Sequence, residues 1–256
     1  MALAPPVQPM LAEARSELPP ERALPGGLAY EQKPDGYRAL LFAGPGRAHL
    51  QSRNGADLSG AFPEITAAGR ALREPLVLDG ELVVATEGRL DFGQLQARAR
   101  RRGAGARQAA RTAPAHLIVF DVLDTADGPL LDEPYRARRA LLEALFAEGV
   151  LAAPFVLWPA TTDRATAQDW LDPAWGAAGI EGVVVKGLSQ RYQPARRGWI
   201  KVRSRVGGAR TGGLSRPKTW WRAPLGRPAL LERPSISASV GTDCCCCAGS
   251  VGGEGL

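Results

Sequence analysis

The chain has 256 residues, of which 45% are hydrophobic, and a formal net charge of +6. This length allows one large domain or two small ones, and the lack of an apolar run of about 18 residues argues against a membrane-spanning helix. Residues 204–256 hold +4 of the net charge, so the overall basicity is only weak support for a nucleic-acid partner.

The N-terminal part of the chain predicts short strands separated by turns. Its first residues lack the basic region and apolar core of a signal peptide, so we expect a cytoplasmic protein. Residues 28–32 read as a strand, and residues 38–43 read as its hairpin partner across an Asp-Gly turn. Residues 48–52 form a third predicted strand, which ends at an Asn-Gly turn.

The next part of the chain predicts two helices. Phe62, Ile65 and Leu72 have helical spacing, and Asp91 is placed to cap a second helix. That helix runs into a cluster of arginines, which comprises Arg98, Arg100, Arg101, Arg102, Arg107 and Arg111. The cluster is either a solvated basic loop or a surface that contacts phosphates, and in the second case binding would weaken steeply with salt.

Strands and helices continue to mix in the second half of the chain. The predicted strands are residues 76–84, 116–123, 182–186 and 198–203. Asp132 and Pro134 predict the start of a helix that ends before Gly149, and Thr162 predicts the cap of a shorter one. Because these elements lack regular βαβ alternation, we predict an α+β domain over residues 1–204.

Residues 205–256 differ from the rest of the chain. They contain ten glycines and four prolines and show no sustained periodicity, so we expect an irregular tail that is disordered or truncated. The four cysteines are consecutive, at 244–247, a spacing that suits neither a zinc site nor a disulfide framework.

Six ordered segments carry residues suited to phosphate chemistry. They are Glu31-Gln32-Lys33-Pro34-Asp35-Gly36-Tyr37-Arg38, Ser52-Arg53-Asn54-Gly55, Leu78-Asp79-Gly80-Glu81-Leu82, Val119-Phe120-Asp121-Val122-Leu123, Glu181-Gly182-Val183-Val184-Val185-Lys186 and Trp199-Ile200-Lys201-Val202-Arg203. The first segment puts one amine beside two carboxylates and a guanidinium. A lysine can attack phosphorus only as the free amine, so its surroundings must favour that form.

Strand parity indicates which of these side chains share a face. Alternate residues of a strand point the same way, so Glu31 lies on the side of Lys33, and Lys201 on the side of Arg203. Asp79 and Glu81 are paired by the same argument. Glu181 and Lys186 have opposite parity, and both can face one site only if the chain bends at Gly182.

In their order and composition, the six segments resemble those of ATP-dependent DNA ligases, within the covalent nucleotidyltransferases. The resemblance covers residues from about 7 to 204 and is closest to small bacterial ligases and the ligase module of bacterial end-joining enzymes. It implies a nucleotidyltransferase adenylation domain built on antiparallel sheets, similar to the ATP-grasp fold. Such a ligase would continue into an OB-fold domain, and residues 205–256 contain no recognisable one.

The resemblance also implies roles for individual residues. Lys33 would be the nucleophile that takes AMP from ATP, with Asp35 beside it. The implied nucleotide-binding residues are Glu31, Lys33, Arg38, Arg53, Glu81, Phe120, Lys186, Arg197 and Lys201. Phe120 would stack on adenine, and Lys186 and Lys201 would bind phosphate. Glu81 and Glu181 would hold Mg²⁺ or Mn²⁺, because hard divalent ions prefer oxygen ligands.

The implied reaction seals nicks or breaks in double-stranded DNA through a lysyl-AMP intermediate, in bacterial DNA repair, recombination or replication at the nucleoid. End-joining proteins are candidate partners, and no membrane is involved. Two alternatives stay open. The first is another covalent nucleotidyltransferase, such as an RNA ligase or a capping enzyme. The second is an adenylation-only or inert DNA-binding fragment that lacks its OB-fold domain.

Overall fold

The computed structural model describes residues 2–204, and the predicted tail lies outside the described residues, as does the expected absence of an OB-fold. The strands are β1 (Leu11–Arg15), β2 (Leu28–Pro34), β3 (Tyr37–Gly44), β4 (Arg47–Ser52), β5 (Leu76–Thr86), β6 (Arg89–Leu90), β7 (Ala115–Thr125), β8 (Gly128–Pro129), β9 (Phe155–Leu157), β10 (Ala160–Thr161), β11 (Ile180–Gly187) and β12 (Arg197–Arg203). The helices are α1 (Pro63–Arg70), α2 (Phe92–Ala99), α3 (Gly103–Thr112), α4 (Tyr135–Ala147) and α5 (Arg164–Asp169), with a 3₁₀ helix at Pro173–Ala178. Among these helices, none has both the length and the apolar character needed to span a membrane.

The first sheet has the strand order β1-β12-β11-β2-β10. Its strands pair antiparallel except for β1 and β12, which are parallel. One face buries apolar side chains, among them Tyr30, Val183, Val185 and Ile200, together with Trp170 next to α5. The alternate residues of β2, β11 and β12 are turned to the opposite face.

The second sheet has the order β4-β3-β5-β7-β8, with β6 beside β5 and β9 beside β7. Its outer face packs with the helices around Leu41, Phe62 and Leu142. Its inner face carries Leu40 and Phe120, and this face meets the inner face of the first sheet. The two sheets are mainly antiparallel and are accompanied by irregularly spaced helices, which confirms the α+β prediction.

The predicted hairpin between residues 28–32 and 38–43 is wrong. β2 pairs with β10 and β11 in the first sheet, whereas β3 pairs with β4 and β5 in the second. Asp35 and Gly36 carry the chain from one sheet to the other, and the Asp35 amide donates to the Gly179 carbonyl. A Cβ at Gly36 would lie 2.4 Å from the Leu82 carbonyl oxygen, so only glycine permits this close crossing.

Several helix predictions are confirmed, with changes at their ends. Asp91 caps α2 by accepting from the Gln94 amide. The cap of α5 is Asp163 rather than Thr162, because the Asp163 carboxylate accepts from the amides at the start of that helix. Asp132 does not cap α4; it is exposed and pairs with Arg191.

The arginine cluster is not a loop. It spans the end of α2 and all of α3, a helix that the sequence did not predict because Gly103 and Gly105 disfavour helix. Arg98 is 1% exposed and holds this helix pair to its neighbours. Its guanidinium donates to the Ala109 carbonyl at 3.0 Å and to Glu64 at 2.6 Å. Arg98 is therefore an internal cation, and the basic surface is formed by the other arginines.

Candidate active site

A cavity of about 530 Å³ opens between the inner faces of the two sheets. This volume lies within the range of about 300–1,000 Å³ that is usual for small-molecule sites. All the residues predicted to bind nucleotide line it, namely Glu31, Lys33, Arg38, Arg53, Glu81, Phe120, Lys186, Arg197 and Lys201. With Arg203, the lining holds seven basic and two acidic side chains, which suits a polyanionic ligand.

Lys33 lies next to a pair of carboxylates at the end of β2. Its ammonium forms a hydrogen-bonded ion pair with the Oε2 atom of Glu181. Burial, then the charge of Glu181, raises the pKa of Asp35. Burial would also raise the pKa of Glu181, but the hydrogen bond and charge of Lys33 and the charge of Arg203 outweigh it, so the Glu181 pKa is lowered. Glu181 is therefore the carboxylate of this pair that stays ionised more readily.

The parity conflict between Glu181 and Lys186 is resolved by a β-bulge. Ile180 is paired with Pro34 and Gly182 with Lys33, which leaves Glu181 as the extra residue of β11. Gly182 has a φ of +147°, and a Cβ there would lie 2.0 Å from the Val202 carbonyl oxygen. The bend at Gly182 that the sequence required is present, although β11 begins before Glu181 rather than after it.

The inner end of the cavity is a buried polar network around Glu31. Lys186 is fully buried, and its ammonium lies 2.8 Å from the Glu31 carboxylate. Tyr135 donates its hydroxyl to Glu31 at 2.6 Å, and the Arg139 guanidinium lies 4.0 Å away. Burial lowers the pKa of Lys186, although the charge of Glu31 acts in the opposite direction. Lys186 thus lies among buried partners, whereas Lys201 lies in a more open part of the cavity.

Aromatic rings and a second ion pair form one wall. Phe120 and Trp199 meet edge to face, with centroids 6.3 Å apart. The Arg38 guanidinium lies over both rings, 4.6 Å from the Phe120 centroid and 5.1 Å from that of Trp199. Arg38 also forms a bidentate pair with the buried carboxylate of Asp79, to which Tyr192 donates. Burial would lower the pKa of Arg38, but Asp79 raises it, so the guanidinium is permanently charged.

The outer part of the cavity carries cations and one half-buried carboxylate. Arg53 and Arg197 are exposed, and Lys201 is half-buried. Burial, followed by the charges of Lys33 and Arg203, lowers the pKa of Lys201. Burial raises the pKa of Glu81 to about 7, against the opposing charges of Arg38 and Lys33. Glu81 is therefore poised to change its charge near neutral pH.

The described residues contain no cluster of three or more side chains that could hold a metal ion by themselves. Mg²⁺ commonly binds through one or two protein carboxylates and completes its coordination with water and substrate phosphates. Glu181 is half-buried and has a lowered pKa, so it is a suitable carboxylate for such an ion. Burial raises the pKa of Glu81, so an ion that binds there near neutral pH would have to displace its proton.

Sequence reasoning missed the supporting residues. Trp199 lies within the last of the six segments and has the parity of Lys201, so strand alternation could have identified it as a cavity residue, just as it placed Arg203 on the side of Lys201. Tyr135 and Arg139 gave no such signal. They lie on α4, more than 100 residues from Glu31 in the chain, and only the fold brings them to that carboxylate.

Comparisons with known proteins agree with this geometry. A profile of the family described as "ATP dependent DNA ligase domain" matches residues 9–203. DNA ligase C1 of Mycolicibacterium smegmatis is 42% identical over 205 residues, which cover 78% of this chain and 57% of that protein. DNA ligase C2 of the same organism is 39% identical over 201 residues, covering 78% and 54%.

A solved structure described as "mycobacterial DNA ligase D complexed with ATP and MES" has the same fold. It matches with a TM-score of 0.61 and 30% sequence identity, over 77% of this chain and 60% of that chain. The chain thus spans little more than half the length of the curated relatives that it matches.

Proposed function

The chain belongs to the ATP-dependent DNA ligase domain family, and on that premise we propose that it attaches AMP to Lys33 and uses it to seal nicks or breaks in double-stranded DNA. The observation that carries this proposal is the position of Lys33. Its amine lines a strongly basic cavity, opposite Gly182 on β11 and in contact with Glu181. A nucleophile, cations for phosphate and a carboxylate for a metal ion meet there within a small volume.

In the first step, the Lys33 nitrogen attacks the α-phosphorus of ATP. A nitrogen–phosphorus bond forms, the bond from that phosphorus to the oxygen of the β-phosphate breaks, and pyrophosphate leaves with the electron pair. The surplus proton of the amine passes to solvent. Lys201, Arg203 and Arg53 provide positive charge where negative charge accumulates on the phosphates, and such fixed charges stabilise the transition state.

In the next two steps, the activated group passes to DNA. A 5′-phosphate oxygen at the break attacks the AMP phosphorus, and Lys33 leaves as an amine that regains its proton. The 3′-hydroxyl then attacks the activated 5′-phosphate, a phosphodiester bond forms, and AMP leaves. Storing the activated group on Lys33 separates one difficult transfer into easier ones.

Glu181 connects the nucleophile with the metal requirement. A divalent ion, Mg²⁺ or Mn²⁺, would neutralise phosphate charge and orient the leaving group when bound. Glu181, with Glu81 as a second ligand when ionised, would hold it. Glu181 also pairs with Lys33, so this one carboxylate would connect the metal position with the nucleophile.

The other end of the cavity is suited to the base. Glu31 and Phe120 offer a carboxylate acceptor and an aromatic ring, and Lys186 holds the Glu31 carboxylate in place. We therefore assign Lys186 a contact with Glu31 in addition to the phosphate role that the family resemblance implied. Asp35, with its raised pKa, lies beside Glu181 and would position it.

Incubation with labelled ATP and Mg²⁺, followed by mapping of the modified peptide, tests the proposal. AMP on Lys33 and joining of a nicked duplex are the expected results. Label from GTP but not ATP would instead indicate a capping enzyme, and AMP attachment without joining would indicate an adenylation-only fragment. We further propose that the protein works at the bacterial nucleoid, where its DNA substrate lies, in repair, recombination or replication, with end-joining proteins as partners.

A further inference from the structure

The arginines of α2 and α3 form a surface that the chemistry at Lys33 does not use. Arg100 and Arg101 are exposed in the link between the two helices, and Arg107 and Arg111 are exposed on α3. We call these four residues the arginine surface. None of them forms an ion pair within residues 2–204, and residues 92–112 contain no aspartate or glutamate.

This concentration of charge is unfavourable for the isolated domain. Arg107 and Arg111 are four residues apart on one helix, so their like charges repel each other. A solvated surface helix usually relieves such repulsion with acidic neighbours, which are missing from α2 and α3. Arg98 and Arg102 do not add to the exposed set in the same way, because their guanidinium groups donate to backbone carbonyls.

The arginine surface adjoins the cavity. At the start of α2, Phe92 packs edge to face on Tyr37, with ring centroids 5.3 Å apart, and Tyr37 lines the cavity. At the link, the Arg102 side chain lies beside Gly60, two residues beyond the cavity residue Leu58. The start of α2 and the link to α3 therefore lie close to residues that line the cavity.

An exposed acidic residue, Asp57, lies near enough to Arg102 to be affected by its charge. Asp57 is exposed, and its carboxylate accepts from the Ser59 amide at 2.8 Å. The charge of Arg102 contributes to lowering the pKa of Asp57, after the hydrogen bonds from Ser59 and the charge of His49. Its single charge does not compensate four guanidinium groups that have no acidic partner, one of which, Arg111, donates to the neutral Gln108 side chain.

We propose that the arginine surface binds the phosphates of duplex DNA that extends away from the break. This inference rests on the proposed function, because the duplex is its substrate. α3 has ten residues and is about 15 Å long, and a duplex carries a negative charge about every 1.7 Å along its axis. The surface therefore faces several phosphates at once, while the break lies at Lys33.

The test compares two triple variants of the full chain. R100Q/R101Q/R107Q removes three charges from the arginine surface. R47Q/R70Q/R73Q removes three exposed charges near the end of β3 that is farther from the cavity. Gly44, at that end, is six strand residues from Arg38, which at ~3.3 Å per residue is about 20 Å. Both variants keep Arg98 and Arg102, which donate to backbone carbonyls, and the two variants have the same net charge.

Binding of a nicked 30-base-pair duplex is measured over a range of NaCl concentrations, with thermal unfolding as the check on folding. The slope of log K against log [NaCl] is negative, and its magnitude should decrease by about 2 to 3 in R100Q/R101Q/R107Q, since each phosphate contact contributes about 0.9. It should change by less than about 1 in R47Q/R70Q/R73Q. Equal slopes in the two variants would overturn the inference. A loss of affinity in R100Q/R101Q/R107Q for duplex RNA but not for duplex DNA would also overturn it.

AMP attachment to Lys33 is measured on the same samples. It should be unchanged in both variants, because none of the six arginines lines the cavity. Its absence from the unsubstituted chain would contradict the proposed function, whereas the salt slopes test the arginine surface alone.

Discussion

Glu31 and Lys186 form an ion pair that is almost completely removed from solvent, with 2.8 Å between the ammonium and the carboxylate. The two residues lie on neighbouring strands, β2 and β11, which pair antiparallel. Tyr135 of α4 donates to the same carboxylate, so a helix of the second sheet's layer is tied to the first sheet through Glu31. This pair is the buried link between the inner end of the cavity and the protein core.

Substitution Lys186→Met should therefore destabilise the fold by about 3 kcal/mol or more, because it leaves a buried carboxylate without its nearest cation. The double variant Glu31→Gln/Lys186→Met should recover much of this lost stability, because it leaves no unpaired buried charge at either position. Urea unfolding of both single variants and the double variant gives the coupling energy. Additive effects of the two substitutions would show that the pair is not coupled.

Lys33→Ala should abolish AMP attachment while leaving the fold intact, because Lys33 is half-buried at the cavity and contributes little to the core. Lys33→Arg should fail as well, since arginine stays protonated and cannot act as a nucleophile. Mass spectrometry after incubation with ATP and Mg²⁺ measures the adduct. Full labelling of either variant would assign the chemistry to another residue.

Glu81→Gln should change stability in a pH-dependent way. The pKa of Glu81 is raised from its ordinary value of 4.5 to about 7 by burial, so the folded state disfavours the carboxylate. Below pH 4.5 Glu81 is neutral in both states and imposes no penalty. Between pH 4.5 and 7 the penalty grows, and above pH 7 it is constant.

The glutamine variant carries no such penalty, so its stability relative to the unsubstituted protein should rise from pH 4.5 to 7 and then level off. Thermal unfolding at pH 4, 6 and 8 measures this difference. A difference that stays constant over the three pH values would mean that Glu81 does not titrate differently in the folded state.

Arg98→Met should destabilise the protein by about 3 kcal/mol or more, because it removes the cation paired with Glu64 and the donor to the carbonyl oxygens at the end of α3. Arg101→Met is the matched control. Arg101 is exposed, so its substitution should change stability by less than about 0.5 kcal/mol. Chemical denaturation compares the two, and a similar effect of both would contradict the internal role of Arg98.

The sequence predicted most of the site because its residues lie in short segments with strand parity. Lys33, Lys201 and Phe120 line one cavity as those segments implied, although their individual roles stay predictions. Pairing of strands was harder to predict. An Asp-Gly turn between two apolar runs is usual for a hairpin, but here each run finds a better partner elsewhere, β11 for β2 and β5 for β3.

Other features depend on contacts between distant parts of the chain. The helix at residues 103–112 is contacted by Arg98, which donates to carbonyls near the end of α3. The Tyr135 hydroxyl reaches Glu31 across 104 positions of sequence. Local propensity contains no information about such contacts, so pattern reasoning could not supply them.

The crossing at Asp35 and Gly36 has a mechanical consequence. Lys33 and Arg38 are five positions apart, yet one belongs to the first sheet and the other to the second. A small shear of one layer over the other would change the separation of these two cations without breaking a strand pair. The separation of the Lys33 amine from the Arg38 guanidinium therefore depends on the contacts between the two layers, among them the hydrogen bond from the Tyr135 hydroxyl to Glu31.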